Sequence, residues 1–369
     1  MAVTTSESPR PLPGRRIRVL VVDDSVVIRR LVTTALSEDP AIELVGSAAN
    51  GVIALAKVPQ VNPDVITLDI EMPEMDGITF LKHLRKDYPH IRVIMFSTLT
   101  TRGASATIDA LVLGADDYVT KASNEGSLDE SMVALRQQLV PKVKQFLKTP
   151  PPPQTARGPQ PAATAAATAP GIRPHAHAAH GPRQIVAIGV STGGPTALAA
   201  LVPMLPADLR VPVVIVQHMP PMFTGFLADR LQKQTPLKVL EAAEGSKVEP
   251  GTILIAPGDF HMRVRRNGTS LETTLNQGPP ENSCRPAVDV LFRSVAEVFG
   301  DAAIGVVLTG MGQDGLRGVE AMREQGAYII VQDEATSVVW GMPGAIARAN
   351  LADVVVGLPL IVPQILRHL

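Results

Sequence analysis

Cysteine is all but missing: Cys284 is the one thiol in 369 residues. A disulfide framework within the chain is excluded, and such sparing use fits a reducing compartment. Aromatics are scarce at 3%, so the core has to rest on Val, Leu, Ile, Ala and Met. Neither charge is in excess: 34 Lys and Arg face 35 Asp and Glu, which gives no electrostatic footing for nucleic acid or an anionic membrane surface. No apolar run reaches the roughly 18 residues that cross a bilayer. Residues 1–16 are rich in Ser, Pro and Arg and lack the apolar centre of a secretory signal. The expectation is a soluble cytoplasmic protein, not membrane-embedded and without a nucleic-acid partner. What is present in ordinary amount is apolar side chain, 45% against 19% charged. At about 100–200 residues per domain, the length predicts two or three domains.

Acidic residues and large aliphatics other than Ile172 are absent from residues 149–183, a stretch dominated by Pro and Ala. Such a segment buries too little apolar surface to offset the entropy of ordering it. It predicts a semi-extended linker between domains at 17–148 and 184–369. His175, His177 and His180 lie in it; such a cluster can bind metal, but solvated linker histidines are the plainer reading.

The first region alternates strand and helix patterns. Short apolar runs at 17–22, 42–46, 64–68, 92–96 and 117–120 end in Asp23-Asp24, Gly46, Asp69, Ser97 and Lys121. Strands alternating with helices predict an open, doubly wound parallel sheet of α/β class. Such sheets bind ligands beyond the carboxyl ends of their strands. The topology therefore gathers Asp23, Asp24, Asp69, Ser97 and Lys121 on one rim. Three crowded carboxylates (Asp23, Asp24 and Asp69) invite a hard divalent cation such as Mg²⁺. The Lys121 ammonium and Ser97 hydroxyl suit phosphoryl oxygens, and Asp69 is placed to become an acyl phosphate. Any one of these residues alone reads as a strand-ending turn former; the full set does not.

These residues, with LDIEMPEMDG at 68–77, resemble a response-regulator receiver domain. The resemblance implies Asp69 as phosphoacceptor, Asp23 and Asp24 with Asp69 as the Mg²⁺ site, and Ser97, Tyr118 and Lys121 as switch residues. The family usually carries Pro after its lysine, where this chain has Ala122.

The second region is again α/β, with strand patterns at 184–189, 211–216, 252–256, 302–308 and 327–331. A larger, Rossmann-like doubly wound sheet is predicted, with Ser191, His218 and Asp314 at three strand ends. Together they make a trio for acyl transfer, in which Ser191 attacks, His218 takes its proton and Asp314 orients the imidazole. The alternatives are an N-cap or phosphate nest at Ser191-Thr192-Gly193-Gly194, a structural histidine, and a turn aspartate. Gly189–Gly193 fits G-x-S-x-G, but the chain order Ser, His, Asp argues against the α/β-hydrolase superfamily.

GVSTGGP at 189–195, QHMP at 217–220, APGDFHM at 256–262, RPAVDVLF at 285–292, LTGMGQDG at 308–315 and SVVWGMP at 337–343 resemble the protein-glutamate methylesterase of bacterial chemotaxis. The resemblance implies Ser191, His218 and Asp314 as the catalytic residues, Thr192 and Met311 near the oxyanion, and a supporting role for His261. It implies hydrolysis of glutamate γ-methyl esters on chemoreceptors, with glutamine deamidation as a related reaction. It also implies a histidine kinase as phosphodonor, a receiver that blocks the crevice until phosphorylated, Mg²⁺ for the receiver and no cofactor for the esterase. Two competitors are a receiver-controlled nucleotide-phosphate-binding module and a DNA-binding response regulator. The first leaves His218 and Asp314 unexplained; the second lacks a basic helical module.

Overall fold

The computed structural model describes residues 16–97, 100–121, 128–146 and 181–369. The linker histidines and Ala122 lie outside the described residues. Two compact units form, with two parallel sheets.

The first sheet arises from β1 (Ile17–Val22), α1 (Val26–Ser37), β2 (Ile42–Ala48), α2 (Gly51–Val61), β3 (Val65–Asp69), α3 (Gly77–Asp87), β4 (Arg92–Ser97), α4 (Thr101–Val112), β5 (Asp117–Thr120) and α5 (Leu128–Lys144). Its order is β2-β1-β3-β4-β5, as expected of an open parallel sheet. Ser25, Asn50, Asp76 and Thr100 start α1 to α4 by accepting the N–H of Ile28, Ile53, Thr79 and Gly103. Leu20, Val65, Leu68, Val93 and Ile94 are fully buried, which explains why the strands read as continuous apolar runs. Val22 pairs with Leu68 and Asp69 with Phe96. The residues just past those strands therefore meet at one edge.

The second sheet and the elements around it run β6 (Ile185–Val190), α6 (Gly194–Leu201), β7 (Val213–Gln217), α7 (Phe223–Gln232), β8 (Lys238–Glu241), β9 (Thr252–Ile255), β10 (His261–Asn267), β11 (Ser270–Asn276), α8 (Val288–Phe299), β12 (Ala303–Val307), α9 (Leu316–Glu324), β13 (Tyr328–Gln332), α10 (Met342–Arg348), β14 (Val354–Val356) and α11 (Leu358–Arg367). Seven strands form a parallel sheet ordered β14-β13-β12-β6-β7-β9-β8. The five expected strands are present, each shifted by no more than two residues at either end. Strands β8 and β14, the hairpin β10–β11 and helices α10 and α11 were not expected. Met262, Leu291, Phe292, Val295, Val307, Val319 and Met322 belong to one buried cluster, so α8 and α9 close a face of the sheet against the hairpin.

From β6 the chain builds outward to β7, while β12 returns to the other side of β6. The strand order reverses there, and ligand crevices of such sheets open at that point. Among the described residues no helix is long and apolar enough to cross a membrane.

Candidate functional site

Ser191 is the first residue after β6 and His218 the first after β7; the pair before them, Val190 and Gln217, is in register. The buried Gln217 amide ties the two ends together by donating to the carbonyls of Ser191 (3.0 Å) and His218 (3.2 Å). From the other side Ser191 N–H donates to Thr309 O at 3.0 Å. A Cβ at Gly310 would stand 2.8 Å from the Ser191 Cβ, so glycine is what lets the loop after β12 approach the hydroxyl.

That loop carries Asp314, 2% exposed. One carboxylate oxygen accepts His218 Nε2–H at 2.7 Å and Val288 N–H at 2.6 Å. The other accepts from Asn282 Nδ2 (2.9 Å), Gly315 N (3.0 Å) and Asp289 N (3.1 Å). Because a carboxylate only accepts, the tautomer of His218 is set: Nε2 bears the proton and Nδ1 is the basic atom. Burial favours the neutral acid, but the His218 bond and the N–H groups at the start of α8 outweigh it and hold Asp314 below the usual carboxylate range. Asp289 moves the other way, raised by burial, with Asp314 beside it adding to the effect.

Burial works against a charged His218, yet its bonds to Asp314 and Cys284 push it up to about 10. If His218 is the general base that the resemblance implies, it must be neutral to accept a proton, and activity then follows the deprotonated fraction. On that footing activity should climb with pH across the neutral and alkaline range, about tenfold per unit while the imidazolium dominates. Cys284→Ala removes one partner of the charged ring and should move the rise to lower pH. A kcat/KM profile for both proteins checks this; a flat profile above pH 7 would contradict it.

Cys284, the lone thiol, is a neighbour of this site. Its Sγ lies 3.5 Å from His218 Nδ1. A four-residue turn presents it: Glu281 N–H bonds Cys284 O at 3.1 Å and Cys284 N–H bonds Glu281 O at 2.8 Å. The central residues Asn282 and Ser283 are both left-handed, with φ of 51° and 62°, as a type I′ turn requires. Arg293 anchors the Glu281 carboxylate at 2.6 and 2.8 Å. Asn282, also not singled out from sequence, bridges Asp314 and Asp289 at 2.9 Å each.

Among the described residues no hydrogen bond joins the Ser191 hydroxyl to His218, a bond that commonly tightens only with substrate in place. The Met311 backbone N–H donates to no described protein acceptor, and Thr192 O accepts the Thr309 hydroxyl at 2.9 Å. His261 is 2% exposed and faces backbone rather than the trio, accepting from Ala287 N at 3.3 Å and meeting Pro279 O at 3.0 Å.

In the five-stranded sheet, Lys121 Nζ stands 2.8 Å from Asp69 Oδ1 and 3.1 Å from Asp23 Oδ2. Burial, with Asp23 adding, pushes Asp69 up to about 6 despite Lys121. Ligand oxygens of Asp23, Asp24 and Asp69 lie within 4.8 Å of one another. Asp23 Oδ2 is buried and has no aligned hydrogen bond, the Lys121 contact included. An all-oxygen, acidic donor set fits Mg²⁺. Ser97 is buried at the end of β4, its carbonyl accepting Lys121 N–H at 2.6 Å. Tyr118 is on β5, its N–H bonded to Asp117 Oδ1 at 2.8 Å. A Cβ at Gly77 would fall 2.1 Å from the Asp69 carbonyl oxygen, so glycine is required beside Asp69.

Residues 19–133 match the response regulator receiver domain family and residues 186–365 the CheB methylesterase family. A protein-glutamate methylesterase/protein-glutamine glutaminase of Nocardioides sp. is 51% identical over 97% of this chain and 96% of its own. One of the same description from Trichodesmium erythraeum is 49% identical over 96% and 99%. The crystal structure of the Thermotoga maritima CheB methylesterase catalytic domain, 40% identical, covers 51% of this chain and 99% of its own with a TM-score of 0.50. With full-length relatives at this identity and a receiver preceding an esterase region, the chain belongs to the receiver-bearing CheB methylesterase family.

Proposed function

We propose that this chain is a cytoplasmic, phosphorylation-activated esterase that removes methyl groups from glutamate γ-methyl esters of chemoreceptors and also deamidates receptor glutamines. In this reading residues 17–148 are the receiver, 149–183 a linker and 184–369 the catalytic domain. The observation that carries it is the His218–Asp314 pair at 2.7 Å on the strand end next to Ser191. His218 Nδ1 takes the Ser191 proton while Oγ bonds to the ester carbon. The oxyanion meets the Met311 N–H and the Thr192 region, worth roughly 10²–10³ in rate per donor. The protonated ring returns its proton to the departing methoxide, and methanol leaves. Water then attacks the acyl-serine with the same base, freeing the glutamate side chain and Ser191. An amide passes through the same tetrahedral species with ammonia as leaving group.

Asp69 accepts a phosphoryl group from a histidine kinase, with Lys121 and Ser97 meeting its oxygens and Tyr118 as the switch position. Asp23, Asp24 and Asp69 would hold Mg²⁺, which neutralises phosphoryl charge when bound. Control of the esterase is a coupling free energy between the two sites, typically 5–150-fold in such systems. The test is methanol release from methylated receptor with and without a phosphodonor. Wild type should be stimulated within about that range, while Asp69→Ala keeps only its basal rate. Absence of methanol from either protein would overturn the esterase reading; equal stimulation of both would overturn the role of Asp69.

A further inference from the structure

We propose that Cys284 and His218 form an inhibitory site for a soft divalent cation, zinc above all, at the esterase centre. Cys284 Sγ and His218 Nδ1 lie 3.5 Å apart. A tetrahedral zinc ion with Zn–S of about 2.3 Å and Zn–N of about 2.0–2.1 Å holds its two ligand atoms about 3.5 Å apart. The pair is thus already at chelating separation. The second observation is on the far side of the ring. His218 Nε2 donates to Asp314 at 2.7 Å, and metal-ligating histidines characteristically donate their other N–H to a carboxylate, which fixes the ring and raises its basicity. Ligand atoms of His218, Cys284 and Asp314 all fall within 4.8 Å of one another.

Both ligands are held before any ion arrives. The hydrogen-bonded turn from Glu281 to Cys284, clamped by Arg293, fixes the sulfur. Asp314, with its five donors, fixes the ring. Little ordering is left to be done on binding. Thiolate and imidazole prefer zinc to Mg²⁺, whereas the carboxylates of the receiver prefer Mg²⁺. The two ions are sorted by ligand chemistry to different ends of the chain. A cation on Nδ1 occupies the lone pair that would take the Ser191 proton. On binding, the thiol and the protonated ring each lose a proton to solvent, so the site should load more readily as pH rises, and no redox step is involved.

Cobalt(II) reports the site without any assay of activity. Cys284 is the only cysteine, so a thiolate-to-cobalt charge-transfer band in the full-length protein can arise from nowhere else; His175, His177, His180 and the receiver carboxylates cannot produce one. The band should appear in wild type, be displaced by zinc, vanish in Cys284→Ser and in Cys284→Ala, and weaken sharply in His218→Ala. In the methanol assay, zinc should lower the wild-type rate by roughly the worth of a general base, 10²–10⁴-fold, reversibly with EDTA. The ratio of zinc-treated to zinc-free rate should return to near one in Cys284→Ala. No band in wild type, a band unchanged in His218→Ala, or equal zinc inhibition of Cys284→Ala would each overturn the site. The inhibition arm rests on the esterase reading and the cobalt arm does not, so a failure of one is distinguishable from a failure of the other.

Discussion

Ser191→Ala should abolish methanol release, with a loss in kcat on the order of 10⁶-fold and little change in KM. The reason is chemical rather than structural. Ser191 contributes its backbone, not its hydroxyl, to the architecture: its N–H bonds Thr309 and its carbonyl takes the Gln217 amide. Alanine keeps both. What disappears is the atom that, in the proposed mechanism, bonds to the acyl carbon. His218 and Asp314 then have no proton to move, and the residual rate is what the oxyanion donors and substrate placement supply. Wild-type thermal stability with no acyl-enzyme trapped on rapid quenching would complete the result. Retention of more than a hundredth of the rate would mean that another group, with Cys284 the nearest candidate, attacks the ester.

Asp314→Asn is expected to cost about 10⁴ in kcat, by analogy with amide replacement of the orienting acid in serine hydrolases. Asparagine is nearly the same size, but one of its two terminal atoms is a donor. If that NH₂ faces His218, the ring is driven to the other tautomer and Nδ1 carries the proton, so it cannot act as the base. If the amide turns round, the NH₂ meets the N–H groups of Asp289 and Gly315, which now bond Oδ1. Either orientation leaves buried donors facing one another, at about 1–3 kcal/mol for each group left unsatisfied. A fall in Tm should therefore accompany the kinetic loss. The two effects separate by assaying well below the midpoint. Loss of stability with normal kcat would show that Asp314 is a structural anchor for the start of α8 and no more.

Legibility in the sequence followed burial. Strands such as Ile17–Val22 and Val213–Gln217 are covered on both faces and so appear as unbroken aliphatic runs. Their order then placed the acidic rim and the trio at strand ends without further information. The hairpin His261–Asn267 with Ser270–Asn276 was illegible because solvent covers much of it, and HMRVRRN carries charge where a buried strand would carry Val or Ile. Strand β8, KVLE, is four residues long and mostly exposed. His261 stands in a recognisable motif, yet its ring holds backbone. The Cys284 contact had no local signal: the turn that aims it uses Asn and Ser at positive φ, where glycine would have marked a bend.

The sheet places β12 against β6, although more than a hundred residues separate them in the chain. During synthesis Ser191 and His218 leave the ribosome well before Asp314. An aborted nascent polypeptide lacking the region beyond residue 307 has neither the central neighbour of β6 nor Asp314. Long-range pairing of this kind forms late, so products truncated before it should be inert in the methanol assay.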